Sequence, residues 1–260
     1  MGLVIQDSTV FFDDSALPAV QGDAVLNAGS NMLFDVLDPV SNPHLPKGAN
    51  FPEGSWLANL VFGGGDAIVE GGVLVNGANG IYFGGAIRAG LNFGPGWDHY
   101  NTKWIKLIWY RVDTGFSGAV PQALWHRSNG NFAPGDFQSG FIMEGDGDDA
   151  AAWIASPTAT ARFQFGPAAL GSVTQLGMAY DPTTGILQGI RNGEIIGEVR
   201  LPGGGNLSRP VGVRETSGYS FGGLFKGTIY HYYAEDLNLS GQSVAEVARL
   251  DYLCNVGRFT

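Results

Sequence analysis

The feature that most constrains this fold is a series of short apolar segments separated by tight-turn residues in the last third of the chain. Residues 176–180 and 186–190 flank the turn sequence 181–185, and the dipeptide Asn192-Gly193 then leads into residues 194–196. An Asn-Gly pair supplies the two positive φ angles of a type I′ turn, whose twist matches that of the strands it joins. The pattern therefore predicts consecutive antiparallel hairpins.

The rest of the chain repeats this pattern of short apolar segments between Gly, Asn and Pro. There are 41 glycines in 260 residues, and charged residues make up only 15% of the chain. Many short strands between such turns are typical of an all-β sandwich. We expect Lys106, in the longest of these strands, to keep one face of that strand in water. The predicted strands are 3–6, 10–12, 57–62, 73–75, 81–83, 104–111, 123–126, 140–143, 153–155 and 161–165.

The last third also carries a family resemblance. Its residues are, in order, Tyr180-Asp181, Thr184-Gly185, Arg191-Asn192-Gly193, Gly197, 225–229, Leu239-Ser240 and 244–246. This order resembles the C-terminal half of concanavalin A-like lectin and glucanase domains, the laminin-G-like jelly rolls. The resemblance implies an antiparallel jelly-roll β-sandwich with one short C-terminal helix. The chain departs from the family pattern at Tyr230, a position that is often acidic there.

Residues 37–56 contain four prolines and no helical or strand period. Such a segment is an extended arm or linker. We therefore expect residues 1–56 to form an N-terminal arm with its linker, and residues 57–260 to form the jelly-roll domain. The alternative is that 37–56 is a long surface loop of a single domain.

One helix is predicted near the C-terminus. Ser243 and Glu246 have the spacing of a capping box, in which each side chain bonds the backbone N–H of the other residue. Val244, Val247, Leu250 and Leu253 follow at intervals of three residues. We expect that face to lie on the sandwich.

The charge balance excludes several classes of partner. The net charge is −10, with 24 acidic and 14 basic residues, so we expect no nucleic-acid binding, which needs concentrated positive charge. No apolar run approaches the roughly 18 residues of a membrane span, and no secretory signal is visible at the N-terminus. Cys254 is the only cysteine, so an intrachain disulfide is impossible.

The acidic segment Glu144-Gly-Asp146-Gly-Asp148-Asp149 allows three interpretations. It can be a solvated turn, or a calcium site built from Asp146, Asp148 and Asp149. It also has the spacing E-x-D-x-x-D, close to the E-x-D-x-x-E of glycanases with the concanavalin-like fold, which would assign catalysis to Glu144, Asp146 and Asp149. That third function requires one strand with its carboxylates pointing inward, whereas glycines separate the acids here.

Aromatic residues in Gly-rich loops suggest a sugar platform, because ring faces stack on C–H groups while polar neighbours bind hydroxyls. The candidate carbohydrate-binding residues are Trp97, Asp98, His99, Tyr100 and Tyr219. The alternative is that these rings fold back onto the core. Gly218-Tyr-Ser-Phe-Gly222 matches the nucleophile elbow G-x-S-x-G, but the strand-to-helix alternation that motif needs is missing, so we expect a structural turn.

These observations favour a non-enzymatic protein with a lectin-like fold. A lectin-like sandwich without a visible signal fits a phage virion protein, which is made in the host cytoplasm and released by lysis. The resemblance to domains carried by phage proteins implies a head-decoration, tail or fibre component. Its expected partners are other virion proteins, further copies of itself in a homo-oligomer, and host-surface glycan. A soluble carbohydrate-binding lectin and a glycanase remain the alternatives.

Overall fold

The computed structural model describes residues 25–43, 50–77, 80–84, 89–113, 122–129, 133–144, 149–167, 169–218 and 225–259. Nearly all regular structure in these ranges is β-strand, arranged in two antiparallel sheets that pack face to face. The predicted all-β antiparallel sandwich is confirmed.

The first sheet has nine strands among the described residues. They are β1 Ser30–Asp35, β2 Asn50–Phe51, β5 Leu74–Asn76, β6 Ile81–Gly84, β8 Trp104–Val112, β13 Thr174–Asp181, β14 Ile186–Arg191, β15 Glu194–Arg200 and β17 Lys226–Asp236. Their order is β15-β14-β13-β8-β17-β6-β5-β2, and β1 also pairs with β17.

The second sheet has eight strands in the described ranges. They are β3 Trp56–Leu57, β4 Ala67–Glu70, β7 Gly90–Asn92, β9 Gln122–Ser128, β10 Phe137–Glu144, β11 Asp149–Ala155, β12 Thr160–Pro167 and β16 Arg214–Ser217. Their order is β12-β11-β10-β9-β16-β7-β4-β3.

The core lies between the two sheets and is built by alternation along the strands. On β8, Trp104, Ile108 and Tyr110 point into it and meet Trp125 and Phe141 of the eight-stranded sheet. Side chains one residue out of step point the opposite way, because successive residues of a strand alternate between its faces. Each sheet therefore also has an outer face.

The predicted hairpins are confirmed in register. β13 pairs with β14, and β14 pairs with β15 through the predicted turn. Asn192 has φ 50° and Gly193 has φ 81°, the left-handed geometry that a type I′ turn requires.

Two helices, rather than one, lie near the C-terminus: α1 Leu237–Ser240 and α2 Val244–Asn255. The predicted capping box at the start of α2 is present. The predicted buried face is wrong at its end, since Leu253 is 56% exposed while Asp251 is fully buried. Burial of Asp251 is possible because its Oδ2 accepts hydrogen bonds from Trp109 Nε1 at 2.8 Å and Gln175 Nε2 at 2.5 Å.

The region before residue 56 contributes to the nine-stranded sheet. β1 pairs with β17, with Phe34 opposite Tyr232, and both Phe34 and Phe51 are fully buried. The predicted boundary after residue 56 thus lies after two strands of this sheet. Residues 1–24, including predicted strands 3–6 and 10–12, lie outside the described residues. The predicted strand 57–62 is wrong beyond Leu57, where β3 ends.

Candidate functional site

One row of side chains crosses the outer face of the eight-stranded sheet from edge to edge. Its members lie directly opposite one another on successive strands, and are, in order, Trp56, Ile68, Asn92, Thr216, His126, Gly140, Trp153 and Arg162. Directly opposite residues share a face of a sheet. We call this set the outer row. Six strand-to-strand steps of about 4.8 Å separate Trp56 from Trp153, a span of about 29 Å.

A cavity of about 230 Å³, lined mainly by polar residues, opens at the middle of the outer row. Both ring nitrogens of His126 contact hydroxyls, with Nε2 3.0 Å from Thr216 Oγ1 and Nδ1 3.1 Å from Ser128 Oγ. Asn92 Nδ2 donates to Glu70 Oε1 at 2.8 Å, and the Arg214 guanidinium lies 3.5 Å from Glu70 Oε2. The cavity therefore has an ordered lining of hydroxyl, amide, imidazole, carboxylate and guanidinium groups.

Larger side chains flank this polar stretch on both sides. On one side Trp153 is half-buried, and the Arg162 guanidinium lies 5.8 Å from the centre of its ring. On the other side Trp56 and Ile68 are 42% and 46% exposed. Between the cavity and Trp153 stands Gly140, where an added Cβ would come within 2.7 Å of His126 Cβ. The row thus joins a polar centre to an indole ring on each side.

A chain of buried ionic groups lies under the middle of the outer row. The expectation that Lys106 keeps a wet face on its strand is wrong, because this residue is 1% exposed and points into the core. Its Nζ lies 2.5 Å from Glu215 Oε1 of the opposite sheet, and Arg127 Nη1 lies 3.8 Å from Glu215 Oε2. Glu215 and Arg127 are sequence neighbours of Thr216 and His126, so the ionic chain supports the strands that carry the row.

Burial has the largest effect on the pKa of Lys106, the lysine of this buried ionic group. Desolvation lowers the pKa of Lys106 to about 8, against the opposing attraction of Glu215. The contact between Lys106 and Glu215 links the two sheets across the core. Lys106 Nζ also lies 4.8 Å from the centre of the Trp125 ring, a cation–π distance.

The predicted sugar-binding residues between 97 and 100 lie beside this ionic chain and not in the outer row. His99 is fully buried, with Nδ1 2.8 Å from Trp97 O and Nε2 2.7 Å from Ser139 Oγ. Burial, followed by the nearby positive charges of Lys106 and Arg127, holds the pKa of His99 well below its usual value. A ligand on the surface cannot reach this ring.

The other members of that predicted site are partly accessible. Trp97 and Tyr100 are half-buried and pack against the core, as the alternative interpretation of these rings expects. Asp98 Oδ2 accepts from Arg209 Nε at 2.6 Å, and the Arg209 guanidinium lies 4.6 Å from the centre of the Tyr100 ring. Tyr219 lies outside the described residues.

The acidic segment connects two strands. Glu144 ends β10 and Asp149 begins β11, and the two residues lie opposite each other in the ladder. The single strand that the glycanase pattern requires is therefore not formed. Asp146 and Asp148 lie outside the described residues, so the calcium site stays a prediction. Within the described residues, no three Asp, Glu, His or Cys side chains come together as a metal site would require.

The nucleophile-elbow match lies mostly outside the described residues as well. Gly218 directly follows β16, and Ser220 is not described. The outer row itself was missed by sequence reasoning. Its only local signal is alternation along each strand, and the pairing of eight strands is needed to bring its members together.

No protein-family model matches the chain, and no curated protein matches its sequence. Solved structures do share its fold. The receptor-binding domain of botulinum neurotoxin mosaic serotype C/D matches with a TM-score of 0.62 at 9% identity, covering 88% of this chain and 52% of that one. A Trypanosoma rangeli sialidase in complex with 2,3-difluorosialic acid matches with a TM-score of 0.58 at 15% identity, covering 95% and 36%.

Domain 4 of AbnA, a GH43 extracellular arabinanase from Geobacillus stearothermophilus, matches in complex with arabinotriose. Its TM-score is 0.51 at 14% identity, covering 86% of this chain and 98% of that one. The chain thus spans about a third of the sialidase chains it resembles. At these identities the likeness shows a common β-sandwich fold.

Among the helices in the described ranges, none is long and apolar enough to span a membrane.

Proposed function

We propose that this chain is a non-enzymatic carbohydrate-binding protein that holds a glycan along the outer row and serves as an adhesion or decoration component of a phage particle. The observation that carries the proposal is the row itself, in which a polar cavity lies between two tryptophans on one sheet face. Sugars present both C–H faces and hydroxyls, so they suit a site that offers aromatic surface beside fixed polar groups.

The polar centre suits hydroxyl recognition because its groups are held in place before a ligand arrives. Thr216 and Ser128 fix the His126 ring, and Asn92 fixes the Glu70 carboxylate. Preorganised groups lower the entropic cost of binding. The span of about 29 Å between the two tryptophans favours a linear glycan of several sugar rings over a single monosaccharide.

The non-enzymatic part of the proposal rests on how Glu70 is held. One carboxylate oxygen accepts from Asn92 and the other faces Arg214. Both carboxylate oxygens are therefore engaged by neighbouring side chains, which suits a group that orients a ligand. The arabinotriose and difluorosialic acid complexes of the sandwich proteins described above support a sugar as the ligand class.

Binding should be tested by titrating a panel of linear oligosaccharides into the protein by calorimetry, with Trp153→Ala as the main variant. We expect a loss of about tenfold or more in affinity, as for a tryptophan that anchors an interface. Trp153→Phe should retain much of the affinity, and Val211→Ala, at an exposed position outside the row, should retain all of it. Equal affinities for all four proteins would contradict the proposed site.

The same panel tests whether the protein is an enzyme. We expect no release of reducing ends after prolonged incubation. Reproducible cleavage that disappears in Glu70→Gln or Glu144→Gln would overturn the non-enzymatic part of the proposal and leave the binding part standing.

The place in a phage particle is supported by apolar side chains exposed between residues 40 and 73, which contacts with neighbouring copies or other virion proteins would bury. Outside the outer row they are Val40, Phe62 and Val73, each at least 41% exposed. Light scattering of Phe62→Ser beside the unchanged chain tests self-association, and mass spectrometry of purified particles tests the location. A monomer at all concentrations, absent from particles, would contradict this part.

A further inference from the structure

The Asn192-Gly193 turn is held by one side chain from the neighbouring strand. Gly193 N donates to Gln175 Oε1 at 2.6 Å. The backbone of Gln175 bonds the other turn residue twice, since its N donates to Asn192 Oδ1 at 3.2 Å and its O accepts from Asn192 N at 3.1 Å. Gln175 therefore contacts both the Gly193 nitrogen and the side-chain carbonyl of Asn192, the two groups that would meet if these residues reacted with each other.

That reaction is deamidation, to which Asn-Gly pairs are prone because glycine offers no side chain to hinder it. The Gly backbone nitrogen attacks Cγ of Asn, the N–Cγ bond forms, and the Cγ–Nδ2 bond breaks. The proton of the attacking amide passes to the leaving nitrogen, which departs as ammonia. Water then opens the cyclic imide to aspartate or isoaspartate. No oxidant or cofactor is needed.

Gln175 restrains both partners of this step. The Gly193 N–H donates to Gln175 Oε1, which holds the proton that the attacking nitrogen must lose. The Asn192 side-chain carbonyl accepts from the Gln175 backbone N–H, which restricts rotation of that side chain. Loss of the hydrogen bond to Gly193 N should therefore make the attack easier.

The same side chain is tied to helix α2. Gln175 Nε2 donates to Ala248 O at 3.2 Å and to Asp251 Oδ2 at 2.5 Å. Tyr252 of that helix covers Gly193, where an added Cβ would lie 2.9 Å from Tyr252 Cβ. Release of α2 from the sheet would therefore free the Gln175 side chain and uncover the turn together.

We infer that Asn192 is a latent deamidation site which Gln175 protects, and that its protection depends on α2 being docked. The rate of Asn192 deamidation should thus increase with how often this helix opens, and the product should accumulate with the age of the protein. This inference is independent of carbohydrate binding, because the turn lies in the nine-stranded sheet and the outer row lies on the other sheet.

The experiment follows Asn192 by peptide-map mass spectrometry during incubation of the full chain in mildly alkaline buffer. The native protein is compared with the chain unfolded in urea, with Gln175→Met, and with Gln188→Met as a matched control on β14. We expect Asn192 to react at least about tenfold more slowly in the native protein than in the unfolded chain. Gln175→Met should recover about tenfold, the factor that one ordinary hydrogen bond supplies. Gln188→Met should match the native protein.

Two further measurements keep the test decisive if Gln175→Met does not fold. Hydrogen exchange at the Gly193 amide should be slow in the native protein, and Ser243→Ala, which removes the cap of α2 without touching the turn, should raise both the exchange rate and the deamidation rate. A native rate equal to the unfolded rate would overturn the inference. So would an unchanged deamidation rate in a folded Gln175→Met, or in a Ser243→Ala whose Gly193 exchange has accelerated.

Discussion

The outer faces of the two sheets differ in what covers them and in what they carry. On the nine-stranded sheet, Ile105 and Leu107 point outward and pack with Val247 of α2. On the eight-stranded sheet, the corresponding face carries Thr216 and His126 beside a polar cavity. A helix covers one face with apolar contacts, and the other face keeps polar groups around a cavity. The docked helix therefore distinguishes the structural face from the face of the proposed site.

Each face also rests on a buried polar cluster, and the two clusters differ in charge. Under α2, Asp251 is satisfied by the neutral donors of Trp109 and Gln175 and by its contact with His231 at 3.0 Å. Under the outer row, Lys106 and Glu215 form a charged pair between the sheets. Buried charged pairs add little net stability but are costly to break. The face of the proposed site should therefore be the more sensitive of the two to loss of a single partner.

The largest expected effect is the loss of Glu215. Glu215→Gln leaves the Lys106 ammonium buried without its counter-charge, and should lower the free energy of unfolding by about 3–5 kcal/mol. The double variant Lys106→Met with Glu215→Leu should recover part of that loss, because apolar groups of similar volume can replace a buried pair at little cost, while Arg127 keeps Asp98 at 3.8 Å. Urea denaturation measures both, with the exposed Glu198→Gln as control. If the double variant were as unstable as the single one, the ionic interaction itself, and not only the balance of charge, would stabilise the fold.

The second effect is the pH dependence of stability that buried Lys106 causes. The pKa of Lys106 is lowered to about 8 in the folded protein from 10.5. Between these values the unfolded chain binds the proton that the folded chain has released, so this group makes the protein more stable as pH rises from 8 to 10.5, by up to about 3 kcal/mol. The measurement is the free energy of unfolding against pH, relative to the double variant that lacks both groups. If stability instead fell as pH rose over this range, the folded chain would hold the Lys106 proton more tightly than the unfolded chain, and the pKa would be raised by folding and not lowered.

His99 acts at the acid end. Its pKa is held well below 6.5 by burial, so below that pH the unfolded chain takes up a proton that the folded chain refuses. Stability should fall with decreasing pH, by at most about 1.4 kcal/mol per pH unit from this residue. His99→Gln, which can still bond Ser139, should flatten that part of the curve. If both proteins show the same acid limb, other groups cause it.

How much of this could be predicted from the sequence depends on the distance between interacting residues. The Asn192-Gly193 turn and the Ser243–Glu246 cap are each formed by residues close together in the sequence, and both predictions are confirmed. The burial of Lys106 depends on Glu215, which is 109 residues away in the sequence. Because the sequence around Lys106 does not show this partner, a charged residue in an apolar strand is interpreted as facing water. The charge of a residue does not by itself show whether an oppositely charged residue lies across the core.

The outer row shows the same limit on a larger scale. His126 and Thr216 are 90 residues apart and meet only because β9 pairs with β16 in one register. A shift of that register by one residue would turn Thr216 into the core and Glu215 out of it. The predicted loop site failed differently at His99, because an aromatic residue beside glycine and proline in a loop can still point inward. Register and side-chain direction are tertiary properties, which local patterns do not contain.

The smallest expected effect concerns the outer face of the nine-stranded sheet, which α2 covers. Ser243 Oγ accepts from Glu246 N at 3.3 Å, and Glu246 Oε2 accepts from Ser243 N at 2.9 Å. Ser243→Ala removes the first bond and should cost about 1 kcal/mol of stability. Because α2 lies on the nine-stranded sheet, the loss should appear as faster amide exchange in α2 and its contacts on β13, while oligosaccharide affinity at the outer row stays unchanged. Thermal melting with hydrogen exchange measures the first, and calorimetry the second. Reduced affinity in this variant would mean that the two faces are coupled through the core, and that closure of one sheet helps to shape the other.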